Sequence, residues 1–250
     1  MPCVYFVLQG DIIMGKLRMA LAAYKFINND IEHNIGKIEK ALKEVSGKAD
    51  LVCFGETFLQ GFDSLNWNYE HDKEVAVSMD SDIMERIKAL TVTYKTDLVL
   101  GYVELFNEDI YSSCVVIENG KILHNYRRIS KGWKEPIAGE HYKEGTCTDE
   151  FIYKGEKLNI ALCGDLWDFP ERFKTDGALI WPIYVNFDKK DWEEYEHEYA
   201  EQAALAAKEA YIINSLSDDP VSIGGAFYVN DGVITNRVPY EAEDVLILNY

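Results

Sequence analysis

The 250-residue chain has no apolar run near the eighteen or so residues that a membrane helix needs. Positive charge is also sparse: 25 Lys and Arg stand against 43 Asp and Glu, a formal net charge of −18 at pH 7. Nucleic acid and anionic membrane surfaces would be repelled, so neither is expected as a partner. Cysteine is odd in number and never in Cys-x-x-Cys spacing; the five are Cys3, Cys53, Cys114, Cys147 and Cys163. That pattern argues against a disulfide framework and a structural zinc site, and favours a reducing, cytoplasmic setting. No metal is expected. No Pro/Gly/Ser-rich linker, repeat or low-complexity tract divides the sequence. The first residues lack a basic leader and a small-residue cleavage site, so no signal peptide is expected. Met14 offers an alternative start, and residues 1–16 read as an N-terminal extension to a single domain at 17–250.

What is present is an alternation of apolar runs and helical stripes. "RMALAAY" (18–24) predicts a buried strand. In the next segment Ile31, Ile35, Ile38, Leu42 and Val45 fall on one helical face, with Asn29 or Asp30 as cap. "ADLVCFGE" (49–56) predicts another strand, and Ile83, Ile87, Leu90 and Tyr94 a second helix. Three strands follow in "DLVLGYVEL", "SSCVVIENG" and "KILHNYRRIS", the last two joined by a turn at Asn119-Gly120. "LNIALCGD" and "GALIWPIYVN" are strand-like around a short helical turn, and "WEEYEHEYAEQAALAAKEA" is a long helix with an acidic start. "YIINSL", "GGAFYVN" and "DVLILNY" end the chain as strands. An α/β domain is the expected class.

Three segments carry reactive groups. Glu56 ends "LVCFGE", Cys163 sits in "IALCGDLWDFPE", and "YRRISKGWK" supplies Arg128, Lys131 and Lys134. Taken singly, each has a plain reading: a solvated carboxylate, an inert buried thiol, a charged strand edge. Taken together they supply what thiol catalysis requires: a nucleophile, a base for its proton, and a cation for a developing oxyanion. Gly164, directly after Cys163, permits the tight turn that exposes a nucleophile.

In this order, "ADLVCFGETFLQGF", "YRRISKGWKEP" and "ALCGDLWDFPE" resemble the nitrilase superfamily of carbon–nitrogen hydrolases. "HNIGKIEKAL", with Asn34, is similar to that family's first helix, and the Cys-x-Asp motif is part of the likeness. The resemblance implies a four-layer α-β-β-α sandwich, association into a homodimer or larger homo-oligomer, and no cofactor. It implies a small amide or nitrile substrate, a Glu56–Lys131–Cys163 triad and a thioester intermediate. Glu140 is the expected supporting carboxylate, with a backbone N–H near Gly164 as a second oxyanion donor. One position departs from the pattern. The family's lysine usually follows Tyr-Arg directly, and that position here is Arg128. Lys131, three residues on, would face away on a regular strand, so its choice requires a bulge at "SKGW"; Arg128 and Lys134 remain the alternatives.

Two other readings stay open. A papain-like Cys–His hydrolase has candidate histidines (His33, His71, His124, His141, His197) but none of the local signatures of that class. A catalytically degenerate member that only binds a ligand is favoured by the arginine at the lysine position. Trp67, Tyr69, Trp133, Trp167 and Tyr184 could line a pocket or simply pack.

Overall fold

The computed structural model describes residues 17–248; the expected extension at 1–16 lies outside them. β1 (Met19–Ala23) is buried at every position, as a strand covered on both faces must be. Its neighbours complete one six-stranded sheet in the order β12 (Asp244–Leu248), β1, β2 (Leu51–Cys53), β3 (Asp97–Phe106), β4 (Asp109–Glu118) and β5 (Lys121–Arg127). The second sheet runs β11 (Val233–Val238), β10 (Val221–Asn230), β9 (Glu209–Asp218), β8 (Ala178–Ile183), β7 (Glu156–Ile160) and β6 (Phe151–Tyr153). Both are mixed. β1, β2 and β3 run parallel, as do β7, β8 and β9, and antiparallel strands flank each trio.

The expected helices form and cover the outer faces. α1 (Ile31–Val45) is capped by Asp30, whose side chain accepts from the His33 N–H at 3.0 Å. It buries Ile35, Ile38, Leu42 and Val45 against β1 and β2, each worth about 1.5–3 kcal/mol on full burial. α2 (Tyr69–Val75) is short and polar, which hides it from a periodicity reading. α3 (Asp82–Tyr94) lies beside α1, while α4 (Asp165–Asp168) and α5 (Lys189–Ala204) belong to the other side. α5 places Trp192, Tyr199, Ala200 and Ala203 against the second sheet. The layers are therefore α-β-β-α, as expected. Between the sheets, Met19, Leu21, Cys53, Val99 and Cys114 meet Leu158, Ile160, Ile180 and Ile213 in a shared core. No helix among the described residues is long and apolar enough to cross a membrane.

Two hydrogen bonds fix the alignment of the sheets at the end where the parallel strands finish. Leu216 N–H donates to Tyr24 O (3.0 Å) and Phe26 N–H to Leu216 O (3.1 Å). The loops after β1, β2, β7, β8 and β9 consequently gather at one end, where α/β folds place ligands.

Candidate active site

Glu56 stands three residues past the end of β2 rather than within it. Its loop is drawn between the sheets: the Glu56 N–H donates to Ile183 O at 3.3 Å. This approach requires Gly101 on β3, because a Cβ there would fall 2.4 Å from Gly55 O, 2.6 Å from Thr57 N and 2.8 Å from Glu56 Cα. Asn34 holds the loop from the helix side, with its amide donating to Ile27 O and Leu59 O and its oxygen accepting from Ile27 N–H. The Glu56 carboxylate is fully buried. Its Oε1 accepts from Ser112 Oγ (3.0 Å) and Arg128 Nη1 (2.8 Å), whereas Oε2 has no protein partner. Ser112 shares its face of β4 with Cys114, the face turned toward the other sheet.

β5 ends at Arg127, and Arg128 is the first residue beyond it. Its backbone is tied at both ends, N–H to Ser112 O (2.9 Å) and carbonyl from Gly145 N–H (2.8 Å). The guanidinium, 3% exposed, points inward: Nη1 meets Glu56 and Nε donates to Ser130 Oγ at 2.7 Å. Nη2 lies against the Cys163–Gly164 turn, 2.6 Å from where a Cβ on Gly164 would sit. Burial opposes the charge of Arg128, but Glu56, Cys163 and Asp165 outweigh it and raise its pKa.

Cys163 lies in the left-handed region at φ 41°, three residues past β7. An L-residue rarely adopts that conformation without a reason in the surrounding structure. Here the Cys163 N–H is anchored on Pro182 O (3.0 Å), its carbonyl accepts from Trp181 Nε1 (2.9 Å), and Sγ sits 3.8 Å from Tyr184 O. The residue keeps partial solvent access, unlike Cys53 and Cys114. Burial of the sulfur pushes the thiol up to about 12; the Glu56 charge adds to this and the Arg128 charge opposes it. Glu56 and Arg128 thus converge on one sulfur, and no histidine takes part in those interactions.

Lys131 does not join them. The chain leaves the strand after Arg127, Arg128 already turns inward, and Lys131 falls on the exposed surface, so the expected bulge is unnecessary. Lys134 pairs with Glu144 (2.6 Å) and donates to Tyr142 O (2.7 Å). Glu140 is exposed, and the hydrogen bonds of Glu56 do not include it. Sequence reading missed Ser112 and Ser130, whose small hydroxyls carry no signal of their own. It named the Cys-x-Asp motif without a use for Asp165. The aromatics divide: Trp67 and Trp133 cluster with Tyr142, Tyr69 stacks on His141, and Tyr184 stacks on Phe62 beside Cys163. Among the described residues no group of three or more His, Cys, Asp and Glu is placed to hold a metal ion.

Comparison with known proteins bears on the fold and the family. The chain is 25% identical over 166 residues to the glutamine-dependent NAD(+) synthetase of Aquifex aeolicus, a match covering 65% of this chain and 28% of that protein. It is 22% identical to an (R)-stereoselective amidase of a Pseudomonas species over 61% of this chain and 53% of the amidase. The chain therefore spans less than a third of the synthetase and about half of the amidase. Among solved structures, an amidase from Nesterenkonia sp. superposes with a TM-score of 0.76 at 16% identity, covering 94% of this chain and 90% of the other. A mutant of that amidase carries the acetamide moiety of fluoroacetamide covalently at its active-site cysteine. The carbon–nitrogen hydrolase family matches residues 18–216, most of the chain. This protein belongs to the carbon–nitrogen hydrolase family of the nitrilase superfamily.

Proposed function

We propose that the chain, one domain at 17–250, is a thiol hydrolase that cleaves a non-peptide carbon–nitrogen bond of a small amide, nitrile or carbamoyl compound. The observation that carries this reading is the convergence of Glu56 and Arg128 on Cys163. Glu56 takes the thiol proton through its unpaired Oε2 as Sγ bonds to the amide carbon, and the carbonyl electron pair moves onto oxygen. Arg128 Nη2 and the Gly164 N–H receive that oxyanion. Glu56 returns its proton to the leaving nitrogen, the C–N bond breaks, and ammonia or an amine departs from a thioester. Glu56 then takes a proton from water, whose oxygen attacks the thioester carbon; collapse releases a carboxylic acid, and the thiol regains its proton.

The acid–base steps contribute about 10²–10⁴-fold. Arg128, rather than Lys131, is the cation of this scheme. A guanidinium stabilises negative charge through a fixed fork but does not exchange protons at working pH, so all proton transfers fall to Glu56. The unpaired cysteines fit a reducing cytoplasm, and the fold suits a homo-oligomer joined through outer helices.

A second reading, a fold retained for binding without turnover, is favoured by one fact: Arg128 already occupies one oxygen of the base. The two part in a panel of ω-amides, N-carbamoyl amino acids, simple amides and nitriles, assayed by ammonia release with acid-quenched peptide mass spectrometry. Turnover with an acyl adduct on Cys163 supports the hydrolase. Alkylation of Cys163 by iodoacetamide, with no ammonia and no adduct from any substrate, supports the binding protein.

A further inference from the structure

Asp165, at the first position of α4, is fully buried and collects four donors from two separate segments. Its Oδ1 accepts from the N–H groups of Ile129 (3.1 Å) and Ser130 (2.8 Å). Its Oδ2 accepts from Leu162 N–H (2.9 Å) and from the Tyr126 hydroxyl. Leu162 directly precedes the nucleophile. Ser130 holds Arg128 through Nε, and Tyr126 lies two residues before Arg128 on β5. One carboxylate therefore joins the turn that presents Cys163 to the segment that presents Arg128. Burial and the charge of Asp165 raise the Tyr126 pKa, which keeps that phenol a donor.

We propose that Asp165, assisted by Tyr126, is a positioning residue that sets the distance between the Arg128 guanidinium and the Cys163 sulfur. This rests on the reading of Cys163 as nucleophile and Arg128 as cation. Carboxylate oxygens only accept, and all four partners donate. An amide would turn an NH₂ group toward an N–H or a hydroxyl, so Asn is no substitute despite its shape. Freed from Asp165, Ser130 and Arg128 would move relative to the turn. A displacement of about 1 Å in such a site costs about 100-fold in rate.

The test uses Asp165→Asn and Tyr126→Phe, with iodoacetamide labelling of Cys163 read by peptide mass spectrometry between pH 7 and 10, beside thermal unfolding. The expected result is slower labelling of Cys163 in Asp165→Asn at each pH. The drop is about tenfold, one unit of thiol pKa, because the arginine charge no longer favours the thiolate. Tyr126→Phe should move the same way by a smaller factor. With a confirmed substrate, kcat should fall far more than KM rises. Should Asp165→Asn fail to fold, Tyr126→Phe decides alone. Unchanged labelling rates and pH profiles in the folded variants, with only a lower unfolding temperature, would overturn the proposal. Absence of Cys163 labelling in the wild-type protein would instead overturn the underlying assignment of the nucleophile.

Discussion

Arg128 Nη1 and Glu56 Oε1 lie 2.8 Å apart, with the arginine side chain 3% exposed and the glutamate not exposed at all. A charge so placed is tolerable only while its partner is present, since desolvation of a lone ion costs several kcal/mol. Arg128→Met should therefore lower folding stability by about 3–5 kcal/mol, measured by urea unfolding. Arg128→Lys, which keeps the charge, should lose less. A methionine variant as stable as wild type would mean that the pair contributes little to the fold.

Glu56→Gln should separate turnover from thiol reactivity, with opposite signs. Loss of the base should cut amide turnover by about 10²–10⁴-fold. The Glu56 charge holds the thiol pKa up, and its removal also frees Arg128 to face the sulfur. The thiolate fraction should rise, and direct alkylation of Cys163 near pH 8 should quicken. Slower alkylation together with slower turnover would place the main effect of Glu56 in shape rather than charge.

A thiol held at about 12 stays protonated through neutral pH, and its thiolate grows about tenfold per pH unit below that value. Cys163 labelling should climb log-linearly from pH 8 without a plateau below pH 11. The folded-state pKa lies above the ordinary 9.0, so the stability linked to this group is complete below pH 9 and declines as pH rises toward 12. Cys163→Ser should flatten that decline. A labelling plateau near pH 8 would contradict the shift.

Two glycines should respond differently to alanine. At Gly101 the new Cβ meets only backbone, at 2.4–2.8 Å, so the Glu56 loop must move. Gly101→Ala should cost about 1–3 kcal/mol, as overpacking does, and abolish turnover. At Gly164 the nearest atom is Arg128 Nη2 at 2.6 Å, the end of a side chain. Gly164→Ala should fold with a smaller stability loss and still lose most activity. Equal losses of stability, by calorimetry, would count against this distinction.

Much of this was legible from residue order because the signals are local. The stripe from Ile31 to Val45 has one period and one cap, and α1 follows it. Asn119-Gly120 adopts positive φ at both residues and joins β4 to β5 as expected. β6 was not legible, being three residues with one exposed between two buried, nor was β11, whose face is largely exposed. Glu56 and Cys163 stood out because each closes an apolar run. The proposed cation did not, because strand spacing alone cannot say where β5 stops. Once it stops at Arg127, the inward residue is Arg128 and Lys131 is left in solvent. Asp165 was visible only as a motif letter, since three of its four donors are backbone groups, two of them more than thirty residues away.

The identity of the cation can be tested most directly by comparing kcat/KM of Lys131→Ala, Arg128→Lys and Arg128→Met on whichever substrate the panel selects, with folding verified by circular dichroism. Lys131→Ala should stay within about twofold of wild type, as a solvated surface change should. Arg128→Met should fall by about 10²–10³-fold, the loss of one oxyanion donor, with Arg128→Lys between the two. Near-wild-type turnover in folded Arg128→Met, alongside a hundredfold loss in Lys131→Ala, would contradict the assignment and return the cation to Lys131.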